Sequence, residues 1–387
     1  MNKTLKNMRV LVTGGRAPAT LHLIRLLKDN ENYVILAESY KLALSRTSNC
    51  ISKFYYVSQP RFKTKKYIEE LIDIIIREQV DILIPTCEEV FYISKHIERL
   101  KKYCHVFTME IETLNKLHNK YLFSKYLEGL DIEGIRVPRT KSFSSVVKIE
   151  DYFKRNIEST GLVCKPEYSR FGNDTLIFKR SAEFKKNINA SEVNRYIVQD
   201  YIEGKEVCIF AICLNGKILA YSAYDTVITA SGANILFRYY ENNYVYQRVD
   251  KLIKNLNFTG MISFDSILDE NNELYFIECN PRLTSGIHLF TDDDDIFSNR
   301  GRCEVVFPSP QTCTSLKLAI LSTLLKRPVR KIKALFSSKD AIFSNKDIVP
   351  YFFQLISFTH MLYKSIKHKK SIIDITTEDI EFNMENL

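Results

Sequence analysis

Asp265, Glu278 and Asn280 are the side chains whose types and spacing could do chemistry together. They fall in the stretch FDSILDENNELYFIECNPR, Phe264 to Arg282, which reads as two short strands about a polar turn. Strand residues alternate faces, so Phe276, Glu278 and Asn280 are expected on one side, with Tyr275, Ile277 and Cys279 on the other. An even-numbered loop centred on Asn271-Asn272, a favourable type I′ pair, would set Asp265 directly opposite Glu278. Two carboxylates that close cannot both stay ionised without a counter-charge. A hard divalent cation relieves the repulsion, and oxygen-only ligands without a His/Cys cluster favour Mg²⁺ or Mn²⁺ over Zn²⁺. Mg²⁺ ordinarily completes its shell with water and substrate phosphates, so the site predicts a nucleotide. The plainer alternative is a solvent-facing hairpin edge with incidental acids.

The elements that must position this trio begin with an alternation of strands and helices. MRVLV (8–12), YVILAES (33–39) and VDILIPT (80–86) read as buried strands, while 17–30 and 65–79 carry helical spacing. Pro18 stands in the first turn of the earlier helix, where a missing N–H costs little. Such alternation predicts right-handed βαβ units and a Rossmann-like parallel sheet over about residues 1–112. Glu38 ends the second strand, where a ribose-binding acid would stand. The glycine fingerprint argues against a dinucleotide, since GRAPAT from Gly15 puts Ala17 and Thr20 where glycines are needed. Glu88 and Glu89 follow the third strand at the sheet's carboxyl edge, either facing a cleft or capping a solvated helix start; the second is the simpler reading.

A second unit is expected over about 113–300. One helix carries Lys116, Lys120 and Lys125 and ends near Gly129. A strand–loop–strand follows, with Lys165 closing the first strand and Ser169, Arg170 and Gly172 in the loop 167–174. A hydroxyl, a guanidinium and free backbone N–H groups suit a polyphosphate, although hairpins of this length are common. QDYIEGKE links to VCIFAICL, a strand apolar enough to be covered on both faces, which turns at Asn215-Gly216.

With these residues in order, the chain resembles the ATP-grasp superfamily over nearly its whole length. That resemblance implies a Rossmann-like α/β domain followed by a two-lobed α+β fold, with a small lobe about 113–200 and a large lobe about 201–300. The family ending, an acid and then Glu-x-Asn-Pro-Arg, is matched by Asp265, Glu278, Asn280, Pro281 and Arg282. It implies that Asp265, Glu278 and Asn280 hold the metal and that Lys120 and Lys165 contact phosphate. The inter-lobe linker is matched by Gln199, Gly204 and Glu206, with Glu206 on the ribose hydroxyls and the backbone of Asp200 and Ile202 on the adenine edge. Gln199 stands where an acid is commoner, and Ser263 where peptide-forming members carry Arg, a charge that Arg282 could supply. The implied cofactors are ATP and Mg²⁺, with Mn²⁺ as the other admitted cation. The implied chemistry is activation of a carboxylate as acylphosphate for attack by an amine. Carboxylase-type, carbamoyl-phosphate-type and non-catalytic ATP-binding regulatory roles are the alternatives. His288 is a candidate base, with a packed histidine as the simpler reading.

Bulk properties agree with this. The 387 residues are 45% hydrophobic and 26% charged, which suits two or three folded units. The net charge of +9 comes largely from lysine and reads as spread along the chain. Nine Cys without CxxC pairs argue against a disulfide framework and for a reducing, cytoplasmic setting. No signal peptide is expected at MNKTLKNMRVLVTGG, and no apolar run approaches the roughly 20 residues that cross a bilayer. The acidic run Asp292 to Asp295 reads as a hydrated loop. In the tail, 301–387, helices are expected at 314–326 and 349–370 around the basic stretch 327–333, packed on the ATP-grasp lobe. Anionic lipid or a partner helix is the alternative for the second, and a homodimer is compatible with the whole. Nothing indicates nucleic-acid reading.

Overall fold

The computed structural model describes residues 6–130, 132–156, 161–169, 175–179, 188–230, 233–291, 294, 296–297, 304–323 and 328–383. Arg170 and Gly172 of the expected phosphate loop, and Asp292, Asp293 and Asp295 of the acidic run, lie outside them.

The amino-terminal alternation folds as the sequence suggests. Strands β1 (Arg9–Thr13), β2 (Tyr33–Glu38), β3 (Lys53–Tyr56), β4 (Ile82–Ile84) and β5 (His105–Val106) pair in parallel in the order β3-β2-β1-β4-β5. Helices α1 (Pro18–Asp29), α2 (Thr64–Glu78), α3 (Glu89–Lys95) and α4 (Ile97–Leu100) connect them. β3 escapes sequence reading because KFYY is a sheet edge, exposed at Lys53 and Tyr56, with no apolar run. Between β1 and β4 lies the crevice where such sheets take ligands. Here protein groups fill it. Gly14, at φ +78°, sits so close to β4's end that a Cβ would lie 2.5 Å from Thr86 Oγ1. Glu38 accepts from the Arg16 backbone N–H and ion-pairs with its guanidinium at 2.6 Å.

The single helix expected after residue 113 is two, α5 (Ile111–His118) and α6 (Lys120–Leu130). Asn119 divides them, because its side-chain oxygen accepts from the N–H groups of Tyr121 and Leu122 and caps the second. Lys120 thereby becomes the first residue of a helix.

The small lobe holds β7 (Thr140–Phe143), α7 (Val146–Asn156), β8 (Gly161–Pro166), β9 (Leu176–Lys179) and β10 (Tyr196–Asp200), following the short β6 (Ile135–Arg136). Its sheet runs β7-β10-β8-β9. The large lobe is built on β11 (Lys205–Leu214), β12 (Lys217–Thr226), the ribbon β13 (Thr229–Ala230) and β14 (Ala233–Asn234), β15 (Leu236–Tyr239), α8 (Asn243–Leu256), β16 (Gly260–Leu268) and β17 (Leu274–Asn280). β18 (Cys313–Ser315) and β19 (Lys339–Asp340) extend the sheet to β19-β18-β15-β12-β11-β16-β17-β6. β11 is indeed covered on both faces. Ile209 packs with Phe264, Phe276 and the helices α5, α6 and α8, while Phe210 and Ile212 pack with Leu23 and Ile24 of α1.

The hairpin β16–β17 corrects one expectation and keeps its consequence. Leu268 pairs with Leu274, so five residues close the turn, and of the Asn pair only Asn272 has positive φ. Asp269 Oδ1 draws the turn together by accepting from the N–H groups of Asn271 and Glu273. A β-bulge between Asp265 and the next pair then inserts one residue into β17. The odd turn and the bulge cancel, and Asp265 faces Glu278 as expected. The bulge also resets which side chains share a face: Phe276 and Cys279 enter the helix-packed core, leaving Glu278 and Asn280 to the cleft with Ile277.

The tail departs further. Thr314 and Ser315 are strand, and helix α9 is only Lys317–Ser322; α10 (Pro328–Ser337) follows over part of the basic stretch. These pieces stay with the large lobe. α11 (Val349–His368) instead lies against the turn Leu44–Thr47 of the amino-terminal domain, and α12 (Ile372–Thr377) continues beside it. Arg25 holds the approach through Asp347 at 2.9 Å. Asp379 locks the end by pairing with Arg16 at 2.5 Å and accepting from Ser39.

Burial would raise the Asp379 carboxyl, but Arg16 and Ser39 outweigh it and hold it below the usual range. Its contribution to stability is therefore full above the ordinary carboxylate value of about 3.9 and is lost as pH falls through the lower folded value. Asp379→Asn should cost on the order of 3 kcal/mol in urea unfolding at neutral pH. The gap from wild type should narrow in acid; a gap that stays constant with pH would show that this pair is not what Asp379 contributes.

Candidate active site

The carboxylates stand on neighbouring strands with two lysines from other elements beside them. Glu278 lies 3.4 Å from Lys120 at the start of α6 and 3.9 Å from Lys165 on β8. Both lysines are almost fully buried. Asn280 reaches both acids, with its NH₂ 3.5 Å from Asp265 Oδ2 and 3.5 Å from Glu278 Oε1. Arg282 donates to Asn280 Oδ1 at 3.3 Å.

Electrostatics separates the two acids. Burial would raise Glu278, but Lys120 and Lys165, with hydrogen bonds from Asp265 and Asn280, bring it down to about 2. A quarter of its side chain remains open to the cleft, which weakens that pull by solvent screening. Asp265 is raised to about 7 by burial first and by the Glu278 charge second. Cys208 Sγ lies 3.1 Å from Asp265 Oδ1 as a donor. Burial brings Lys165 down to about 8 against the pull of Glu278. The two acids are driven apart, Glu278 held low by the lysines and Asp265 pushed up by burial and by the Glu278 charge.

Such a site suits a divalent cation. Asp265 is in no ion pair among the described residues, so one carboxylate of the pair is only partly answered. The donor set is all oxygen, with Asn280 qualifying once its amide is turned over. Among the described residues no three His, Cys, Asp or Glu cluster as a metal site, here or elsewhere, so the trio depends on the Asn280 amide for its third donor.

These groups line one wall of a cleft of about 460 Å³ between the lobes. Lys165, Ser169, Gln199, Asp200, Ile202 and Glu206 line the rest, so the cleft gathers the described residues of the trio, the linker and the phosphate loop, and Lys120 reaches it through Glu278; Glu38, Glu88, Glu89 and His288 do not line it. Ser169 accepts from Lys120 Nζ through its carbonyl at 3.1 Å. Gln199 donates to Thr140 at 3.0 Å, and Glu206 accepts from Thr226 at 2.6 Å. The Asp200 N–H is engaged by the Arg139 carbonyl, so it is not free for a ligand edge. Gly204 is needed for the linker to lie on β16, since a Cβ there would fall 2.4 Å from the Leu268 carbonyl oxygen.

Two acids differ from expectation. Glu88 and Glu89 are buried rather than solvated at the start of α3. Glu89 accepts from Thr13, Thr86 and Cys87, and Glu88 lies 3.8 Å from Arg282 while accepting from the Phe382 N–H. The first domain thus touches the cleft. Sequence reading admitted a cleft-facing edge at these acids but preferred a solvated helix start, and it missed Cys208, because their partners lie far away in the chain and no local pattern marks them. His288 is the packed histidine: it is buried against His22 and Phe237, and burial holds it well below its usual pKa.

Replacing Glu278 by Gln removes the anion that Lys120 and Lys165 share, leaving two buried cations facing each other. Glu278→Gln should melt at a lower temperature than wild type without ligand, and tripolyphosphate should restore more of the loss than it adds to wild type. Equal melting of the two proteins would mean that Glu278 does not hold the lysines.

Residues 117–286 match the family model described as ATP-grasp domain. No curated protein matches the chain by sequence. Among solved structures, the ADP complex of N5-carboxyaminoimidazole ribonucleotide synthetase is 14% identical with a TM-score of 0.63, covering 81% of this chain and 82% of that one. An L-amino acid ligase from Bacillus licheniformis is 13% identical with a TM-score of 0.58, covering 75% and 71%. Biotin carboxylase from Campylobacter jejuni, solved as a β,γ-ATP complex, is 14% identical with a TM-score of 0.58, covering 75% and 69%. At these identities the likeness is one of fold. The chain therefore carries an ATP-grasp domain, residues 117–286, behind a Rossmann-like amino-terminal domain.

Proposed function

We propose that this chain is an ATP-dependent ligase that converts a carboxylate to its acylphosphate for attack by an amine. The observation that carries the reading is the convergence of Asp265, Glu278 and Asn280 with Lys120 and Lys165 at the inter-lobe cleft. In this reading the units run about 1–112, 113–300 and 301–387, the last shared between the other two.

ATP lies along the linker, its adenine and ribose toward Gln199, Asp200, Ile202 and Glu206. Asp265, Glu278 and Asn280 would hold Mg²⁺, which when bound would supply positive charge to the phosphate oxygens. Lys120 and Lys165 add fixed charge from the opposite wall, where burial strengthens each interaction. Ser169 covers the phosphates. A carboxylate oxygen attacks the γ-phosphorus, the bond to the β-bridging oxygen breaks, and ADP leaves. The amine nitrogen then attacks the acyl carbon, phosphate departs with the former carboxylate oxygen, and the nitrogen loses a proton. Arg282, held between Glu88 and Asn280, offers positive charge beside the reacting groups. Positioning and charge do most of this work, which agrees with the packed role of His288.

Bicarbonate belongs among the test carboxylates, because two of the fold relatives are named for carboxylation. Phosphate release should require ATP, Mg²⁺, a carboxylate and an amine together. A heavy-oxygen-labelled carboxylate should pass one labelled oxygen to the released phosphate. Lys165→Met should lower turnover by roughly 10²-fold or more in the fraction that remains folded, with Lys120 still answering Glu278. Tight ATP binding with no phosphate release across broad pools would instead favour the regulatory role.

A further inference from the structure

α11 is turned inside out. Its inward side presents Pro350, Gln354, Ser357 and His360, with His360 Nδ1 2.7 Å from the Tyr40 hydroxyl. Its outward side presents Phe352, Leu355, Ile356, Leu362, Tyr363 and Ile366, each between 39% and 71% exposed. A helix packed on a domain ordinarily does the reverse. The exposed side chains recur at helical spacing, so they form one stripe along a helix about 30 Å long. No charged residue interrupts that stripe. The ring of Phe343, itself exposed, continues it through Tyr351 to Phe352.

Charge is concentrated in the same part of the chain. Residues 314–370 hold twelve Lys and Arg against two acids, Asp340 and Asp347. Since the whole chain carries 55 basic and 46 acidic residues, the remainder is close to neutral. The excess is therefore not spread along the chain, as it first reads, but gathered here. Both acids are engaged internally, Asp347 with Arg25 and Asp340 with the N–H groups of Ile342 and Phe343. α11 and its exit contain no acid at all, and end in Lys364, Lys367, Lys369 and Lys370.

From this geometry we infer that α11 docks in the plane of a lipid bilayer surface bearing anionic headgroups. The apolar stripe enters the headgroup–acyl boundary, and the lysines at its carboxyl end meet the headgroup charge. Among the described residues no helix is long and apolar enough to cross a membrane, so α11 lies on the surface. Charge disfavours a second copy as the occupant. An antiparallel pair would set Lys367–Lys370 against the positive end of the partner helix, near Lys346, and a parallel pair would set lysine against lysine.

The test is co-sedimentation of the full chain with vesicles of phosphatidylcholine, with and without phosphatidylglycerol. Binding should appear with phosphatidylglycerol and weaken at least several-fold when salt is raised, because screening shortens the reach of the lysines. The triple variant Phe352→Ser, Leu355→Gln, Ile366→Gln should lose at least tenfold in binding. The pair Lys367→Glu, Lys369→Glu should lose the preference for phosphatidylglycerol. Both variants change only exposed side chains, so their melting curves and ATP-induced stabilisation should match wild type. Absence of binding to phosphatidylglycerol vesicles at low salt overturns the inference. A dimer in light scattering that the triple variant dissociates, without vesicle binding, overturns it too and assigns the stripe to a second copy.

Discussion

One partly open carboxylate between two buried lysines is the interaction on which the candidate site depends. Glu278 comes from the hairpin of the large lobe, Lys120 from the helix that precedes the small lobe, and Lys165 from a strand within it. Charges of one sign do not gather in a low-dielectric cleft unless the other sign is supplied at the same place. The pair of lysines holds Glu278 low, while Asp265, without a lysine of its own, is pushed up. A cleft prepared in this way offers cationic groups for a polyphosphate and an incompletely answered carboxylate for a metal.

The amino-terminal domain contributes to that cleft by a route its fold class does not suggest. Its ligand crevice is closed by Gly14 against Thr86 and by Arg16 between Glu38 and Asp379. The carboxyl edge nonetheless points a functional group outward, since Glu88 stands beside Arg282. The tail completes the arrangement, because the Phe382 N–H also donates to Glu88. A carboxylate held from two sides positions the guanidinium more firmly than a lone surface pair would. The order of elements in the chain thus ties both ends of the molecule to one edge of the site.

The tail also shows why a helix's sequence pattern does not by itself say which way it faces. Apolar spacing over 349–370 predicts a helix, and one is present. The same pattern suggests that its apolar side is buried, whereas that side is open and the polar residues are packed. His360 and Lys364 both lie against Tyr40, giving the polar side a polar partner to meet.

Much was settled by local sequence. Apolar runs and helical spacing fixed the strand–helix alternation of the first domain, and the resemblance to the ATP-grasp superfamily, carried by the order of Lys120, Lys165, the linker and Glu-x-Asn-Pro-Arg, pointed to residues that gather at or beside the cleft. Tertiary structure alone decided the rest. The facing of Asp265 and Glu278 needed a five-residue turn and a bulge that offset each other, and alternation cannot reveal a bulge because it counts residues without knowing their pairing. Burial of Glu88 and Glu89, the capture of Asp265 by Cys208 and the outward turn of α11 depend on partners tens to hundreds of residues away. A chain specifies local conformation through neighbours it can touch along the sequence; which groups face one another or face solvent is set only when distant segments close on one another.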